Sequence, residues 1–301
     1  MTKEGYIHPL YAESFSDIGT PLYLPKSKGW LIKRQIPGTN DFDAMGPYPL
    51  FFCERWDLLI EDIQSLENEV VTVTMVIPPL FSFPHERFQH LFELFRAYKC
   101  HYILDYSKPL KQAVSSSRRK DARRALRTVR VEIESTPGID VREWHHLYSI
   151  LIKHHEIRGI RSFSYHAFEN QLAIPNTYFF KAIFNDKVIG GNIYYLQDGI
   201  VYYHLSALTD EGYQKDASYA LKWAAIKYFK GKANFMNLGG GTAEDENEIL
   251  SGLDQFKKGW SNTIQRSYLC GKIMDQKKYQ YLMELKKNKM DWFPAYRSGD
   301  Y

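Results

Sequence analysis

The sequence predicts an α/β protein with mixed sheet (α+β), arranged as two successive α/β stretches. Three observations carry this reading. Segments of period two alternate with segments of helical period, and they do so twice along the chain. A strongly basic, helix-like segment, SSSRRKDARRALRTVRVEI, stands between the two stretches. The chain has 301 residues, more than the roughly 100 to 200 of one ordinary domain, so two compact domains or one large one are the starting choices, and the two stretches divide the chain into residues 1–108 and 109–301.

The first stretch opens on the extended runs LYL and WLIKRQI. It continues through the helical ERWDLLIEDIQSL, the β-branched VVTVTMVI, the helical-period HERFQHLFELFRAY and the strand HYILDY. In the basic segment, Ser115 to Ser117 supply an N-cap, and Ala122, Ala125, Leu126 and Val129 form an apolar stripe. Arg119, Arg123 and Arg127 share another face. The second stretch has a helix around Trp144 to Glu156. The strands TYFFKAIF and KVIGGNIYYL follow, joined by Asn185-Asp186, a pair suited to a tight hairpin. Next come the strand IVYYHLSAL, the helical run YQKDASYALKWAAIKYF and the strand ANFMNL. The order is strand, strand, strand, helix, strand.

Hydrophobic residues make up 44% of the chain and charged residues 25%, an ordinary globular balance that excludes general disorder. The start lacks a basic region followed by an apolar core, and no apolar run approaches the ~18 residues of a spanning helix. A cytoplasmic protein without a membrane span is therefore expected. Cys53, Cys100 and Cys270 are odd in number and far apart, as expected of reduced structural thiols. The net charge is +4, yet Lys111 to Arg130 alone holds eight Lys or Arg against one acid, Asp121. This local basic surface reads either as a solvated helix face or as a site for phosphate, which guanidinium groups hold bidentately.

Signatures for nucleotide phosphate loops, zinc proteases and nucleophile elbows are missing. His145-His146 and His154-His155 lack carboxylate or cysteine companions at ligand spacing, so no metal is expected. Gly239-Gly240-Gly241 follow a strand, as phosphate loops do. The acids of the next segment, TAEDENE, would repel phosphate, so a tight turn with close backbone approach is the better account.

Several segments, taken in order, resemble the FemABX branch of the GNAT transferases and the related BioF2-like acetyltransferase domains. They are RRKDARRALRTVRVEI, KHHEIRGIRSFS, KVIGGNIYY, VYYHLSALTDEGYQKDASYALKWAAI, NLGGG and LDQFKKGWS before YLCGKI, with NDFDAMGPYPL in the first stretch. The resemblance covers nearly the whole chain and implies two tandem GNAT-like domains. No long heptad hairpin is present, so the match is to the members without a coiled-coil arm. The resemblance further implies an N-acyltransferase with no tightly bound cofactor, using acyl-CoA or aminoacyl-tRNA as donor. The acceptor would be a small-molecule or nucleotide-linked amine, such as an amino sugar nucleotide or a peptidoglycan peptide in cell envelope biogenesis. Acetyl-CoA enzymes carry a glycine-rich loop where this chain reads YQKDAS, so the CoA pyrophosphate site is altered or lost. A noncatalytic RNA-binding or scaffold protein that retains the GNAT shell is the alternative.

Amide formation needs a neutral amine, a positioned carbonyl and a donor to the oxyanion. GNAT folds supply these at a splayed strand pair, here expected at Val201 to Leu208 and Asn234 to Leu238. Lys257, in FKKGW, matches the lysine that lies near the attacked ester in the armless enzymes, and it is assigned to the oxyanion or leaving oxygen. Its bland reading is a surface lysine. Tyr203 and His204 alternate on one strand, so only one of them faces the cleft. His204, Asp254 or substrate-assisted proton loss are the options for the general base. Candidate substrate-binding residues are Tyr203, Gly239, Gly240, Gly241, Phe256, Arg119, Arg123 and Arg127.

Overall fold

In the computed structural model, which describes residues 3–81, 83, 85–241, 251–286 and 293–297, helices and strands are interspersed among the described residues. The first elements are α1 (Pro9–Glu13), β1 (Thr20–Leu24), β2 (Gly29–Gln35), β3 (Phe42–Met45), α2 (Leu59–Gln64), β4 (Thr72–Ile77), α3 (His85–Leu91) and β5 (Leu94–Asp105). There follow α4 (Leu110–Ala113), α5 (Ser116–Ala125), β6 (Arg130–Ser135), α6 (Val141–His155), α7 (Tyr165–Leu172), β7 (Thr177–Phe184), β8 (Lys187–Gln197) and β9 (Ile200–Leu208). The last are α8 (Asp210–Gln214), α9 (Ala217–Phe229), β10 (Phe235–Gly240), α10 (Gly252–Lys258), β11 (Thr263–Ile273) and α11 (Gln276–Lys286). The longest described helix, α6, has 15 residues.

Contacts divide the chain into two compact units: Met1–Gly5, Lys99–Ile157 and Ser164–Gln265 form one, while Tyr6–Tyr98, Arg158–Phe163 and Arg266–Tyr301 form the other. The sequence reading places a single boundary at 108/109. In the structure the C-terminal segment groups with the first stretch, because β11 pairs antiparallel with β4 from Tyr268↔Ile77 to Ile273↔Thr72. The strand order in that unit is β1-β2-β3-β4-β11, over a core of Leu31, Phe51, Trp56, Phe88 and Cys270.

The other unit holds β5-β10-β9-β8-β7-β6. Its hairpins follow from local chemistry. Asn185 and Asp186 adopt φ of 48° and 55°, and Asp198-Gly199 adopt 50° and 73°, the left-handed pairs that match strand twist. Ser115 caps α5 by accepting from the Arg118 amide, and Asp140 caps α6 by accepting from those of Arg142 and Glu143. Helices α5 and α9 cover one face, burying Ala122, Ala125, Leu221, Ile226 and Phe229 with Phe180, Tyr194 and Trp260.

Two helical runs are cut shorter than their periodicity suggests. HERFQHLFELFRAY stops being helix at Leu91, and its last residues open β5, where Phe95 stacks on Tyr268 at 5.2 Å. An apolar run satisfies both periods, and pairing with neighbours decides between them. YQKDASYALKWAAIKYF breaks at Asp216, whose φ of 55° separates α8 from α9. Part of NDFDAMGPYPL is the strand β3. All three cysteines are buried and none forms a disulfide.

Candidate active site

The parallel ladder between β9 and β10 has three pairs, Phe235↔Ile200, Met236↔Val201 and Asn237↔Tyr202, and then ends. Beyond it β9 runs on through Tyr203 to Leu208 and β10 through Leu238 to Gly240. The backbone groups of an opened parallel pair are available to a ligand. The side chains gathered beside this opening all belong to the unit that holds both strands.

Lys257, on α10, donates from Nζ to the Gly240 carbonyl oxygen at 2.7 Å. Desolvation brings its pKa down to about 8, with Asp254 opposing that shift and Lys99 adding to it. Asp254 is fully buried; its carboxylate accepts from the Tyr102 hydroxyl (3.0 Å) and the Ser251 hydroxyl (2.6 Å). Those bonds suit an anchor for the start of α10 better than a proton acceptor, since a base must release its partners to work.

The three glycines are points of close approach. Gly239 has φ 83°, in the region that favours glycine, and a Cβ there would lie 3.3 Å from Lys257 Nζ. A Cβ on Gly240 would lie 3.3 Å from His101 Nε2, and one on Gly241 would collide with Asp254 Oδ1. The acids of TAEDENE lie outside the described residues.

His101 was not anticipated. It is 5% exposed, and its Nδ1 lies 3.1 Å from Asn237 Oδ1, which also accepts from the Gly239 amide at 2.8 Å. An oxygen that accepts on both sides assigns the proton to Nδ1, so Nε2 carries the lone pair. Burial lowers the His101 pKa to about 4; the Asn237 bond works against that shift, while Lys257 and Lys99 add to it. Asn237 Nδ2 is buried and has no partner among the described residues.

Tyr203 and His204 do face opposite ways. The β8–β9 register shifts between Ile193↔Leu205 and Tyr194↔Tyr203, so that His204 sits at an irregularity of the ladder. Tyr203 packs with Tyr194 (5.3 Å between centroids) on the α9 side. His204 turns to the other face, where Nε2 lies 3.2 Å from Gln171 Oε1 and the ring lies 4.7 Å from that of Tyr195. Desolvation brings its pKa down to about 3. It is thus a weak base, placed on the face away from Tyr203.

The arginines divide. Arg119 is half-buried and donates to the carbonyl oxygens of Val114 (3.1 Å) and Lys111 (3.3 Å), tying α5 to the end of α4. Arg123 is exposed on α5, and Arg127 is exposed in the turn after it. Arg118, unremarked in the sequence, donates to Tyr219 Oη (3.1 Å) and the Gln255 carbonyl (3.3 Å), with its guanidinium 5.4 Å from the rings of Tyr219 and Phe256. Phe256 therefore packs in an aromatic wall with Tyr219 and Trp260.

Lys222 was also missed. It is 2% exposed on α9, with Nζ 2.8 Å from the Tyr203 ring centroid and 3.4 Å from Tyr194 Oη. A signal existed: Lys222 precedes the buried Ala225, Ile226 and Phe229 by three, four and seven residues, which places it on the apolar face of α9.

His154 approaches Asp210 at 3.6 Å, and the His145 ring lies against Tyr165 and Phe168. Among the described residues no group of three or more His, Cys, Asp or Glu is placed to hold a metal, and no helix is long and apolar enough to cross a membrane.

No family model and no curated protein matches the chain by sequence. Solved structures do match in fold. FemX superposes with TM-score 0.67 at 14% identity over 91% of this chain and 93% of its own. The C-terminal domain assigned to a lysylphosphatidylglycerol synthetase of Agrobacterium fabrum gives 0.64 at 11% identity over 92% and 89%. L-PGS from Bacillus licheniformis gives 0.61 at 12% identity over 92% and 94%. The chain has the mixed-sheet fold of FemX, the fold that the order of its sequence segments suggested.

Proposed function

We propose that this protein is an N-acyltransferase that joins an acyl or aminoacyl group to an amine, making an amide. One observation carries the reading: the β9–β10 ladder opens after Tyr202↔Asn237, and the amine of Lys257 is fixed at the Gly240 carbonyl beside that opening. An acyl carbonyl lying across the opening would meet the Lys257 ammonium and the stretch of strand that no longer pairs across the β9–β10 ladder. One N–H of that ammonium is held by Gly240, and two remain for a developing oxyanion or a leaving oxygen. The amine nitrogen attacks the carbonyl carbon, and the tetrahedral intermediate expels a thiol or a ribose hydroxyl.

The donor is acyl-CoA or aminoacyl-tRNA. The break at Asp216 ahead of α9, in a segment without glycine, favours the tRNA side, because a helix start for a CoA pyrophosphate normally needs close backbone approach. The exposed Arg123 and Arg127 are suited to phosphate on either donor. The acceptor, by resemblance to the FemX-like enzymes, is an amine on a cell-envelope precursor, an amino sugar nucleotide or a peptidoglycan peptide, used in the cytoplasm.

The test is a matrix of radiolabelled acyl-CoAs and charged tRNAs against amino sugar nucleotides and muropeptide precursors. Label in an acid-stable amide product supports the reading. Absence of product from every pair, with retained binding of tRNA, would replace it by a noncatalytic RNA-binding or scaffold role.

A further inference from the structure

Amide formation releases a proton, and burial makes the neutral His101, with a pKa of about 4, and His204, with one of about 3, weak acceptors for it. His204 faces away from Tyr203, and Asp254 is held by Tyr102 and Ser251. We propose that Lys222, in its uncharged amine form, is the residue that takes the proton from the attacking nitrogen and returns it to the leaving group. This rests on the acyl-transfer reading above.

The geometry is unusual for a lysine. Its side chain is buried on the core face of α9, among Ala225, Ile226 and Phe229. No carboxylate lies within 4.0 Å of Nζ among the described residues. The charged groups of the surrounding elements are engaged elsewhere. On α5, Asp121 lies beside Arg118 and Arg124, and Asp216 pairs with Arg124. On β6 and β7, Glu134 holds Lys181, and on α8 Asp210 approaches His154. What faces Nζ is Tyr194 from β8, Tyr203 from β9 and, at longer range, the like charge of Lys257 from α10.

An ammonium in such surroundings, lacking a counter-charge, sheds its proton. Desolvation first, and Lys257 second, push the Lys222 pKa well below the ordinary 10.5. The amine donates one N–H to Tyr194 Oη and lies over the Tyr203 ring. Once the amine is neutral, the Tyr194 hydroxyl can equally donate to its lone pair, a long bond of 3.4 Å that turns round when the amine takes a proton. Tyr203 is the first residue of β9 past the last paired position, so the amine sits on the side of β9 where the strands part.

The step balances. The acceptor nitrogen forms the C–N bond and gives one proton to Lys222 Nζ, which becomes an ammonium. The C–S or C–O bond then breaks with its electron pair on the leaving atom, and the Lys222 ammonium protonates that atom to thiol or alcohol, regenerating the amine. Lys257 remains protonated as the oxyanion's donor, so the two lysines, which repel each other's charge, hold opposite protonation states.

Three measurements on the full chain test this. First, in protein carrying 13C at lysine Cε, with Lys222 assigned by its loss in Lys222→Met, the resonance should titrate well below 10.5; a midpoint at the ordinary value overturns the proposal. Second, once the donor and acceptor matrix has found a turning-over pair, single-turnover rates should fall about 10²-fold or more in Lys222→Met, with substrate affinity little changed. Equal rates would overturn the Lys222 assignment while leaving acyl transfer intact, whereas no turnover by the wild type sinks the acyl-transfer reading itself. Third, methylamine should restore part of the rate to Lys222→Ala, as it can enter the space left by the amine; a variant that melts like wild type, is slow and is not rescued would assign Lys222 a packing role and overturn the proposal. Lys222→Met should also melt at or above the wild-type temperature, since an apolar side chain of similar size replaces a desolvated amine.

Discussion

Replacing Lys257 by alanine removes a cationic donor at the strand opening. Its Nζ is fixed by one bond to the Gly240 carbonyl, and its pKa of about 8 leaves about nine-tenths of the side chain as ammonium at pH 7. If that charge meets the oxyanion in the transition state, its loss should slow the chemical step by about 10² to 10³-fold, the scale of a removed oxyanion donor. Binding of either substrate should change little, because the interaction strengthens only as negative charge develops. The pH dependence gives an independent check. The ammonium is present below pH 8 and lost above it, so the wild-type single-turnover rate should fall as pH rises through about 8, well under the 10.5 of a free lysine. The Lys257→Ala rate should lack that fall. Melting should move little, since losing the Gly240 bond is offset by no longer desolvating an amine. Lys258, next in sequence and exposed, supplies the control, and Lys258→Ala should behave as wild type. Single-turnover rates of Lys257→Ala equal to wild type, with unchanged melting, would remove Lys257 from the mechanism.

Gly241→Ala should destabilise by roughly 1 to 3 kcal/mol in denaturant unfolding, because the new Cβ collides with buried Asp254; unchanged stability would show that α10 shifts freely. His204→Ala should keep most of the wild-type rate, and the pH profiles of the two proteins should coincide above about pH 3, where His204 stays neutral. A rate loss of 10²-fold in His204→Ala would return the base to that position. Arg123→Ala and Arg127→Ala should weaken binding of the phosphate-bearing substrate and flatten its salt dependence without lowering the melting temperature. Arg119→Ala should instead lower stability by about 1 kcal/mol, since its bonds go to the Val114 and Lys111 carbonyls. Salt slopes that fall only in Arg119→Ala would reverse this division.

Much of the fold could be read along the chain because its determinants are local. Asn185-Asp186 makes a hairpin through left-handed backbone that those residues tolerate, and Ser115 starts a helix by bonding an amide three residues ahead. The order of segments around FKKGW pointed to the FemX-like fold and to Lys257. Arg119 shows where a helical face misleads: periodicity set it beside Arg123, while the end of α4 captured its guanidinium.

The sequence by itself determined the alternation of strands and helices, the hairpins and caps, the basic segment and the candidate lysine, all of which follow from neighbours within a turn or two. Tertiary structure alone decided that β11 pairs with β4, that β9 and β10 part after Tyr202 and Asn237, and that Asp254 is held by Tyr102 across 152 residues. It also decided the surroundings of Lys222 and His101. A lysine's charge and a histidine's tautomer depend on what surrounds them, and Tyr194, Tyr203 and Asn237 reach those side chains only once the sheet has brought distant strands together.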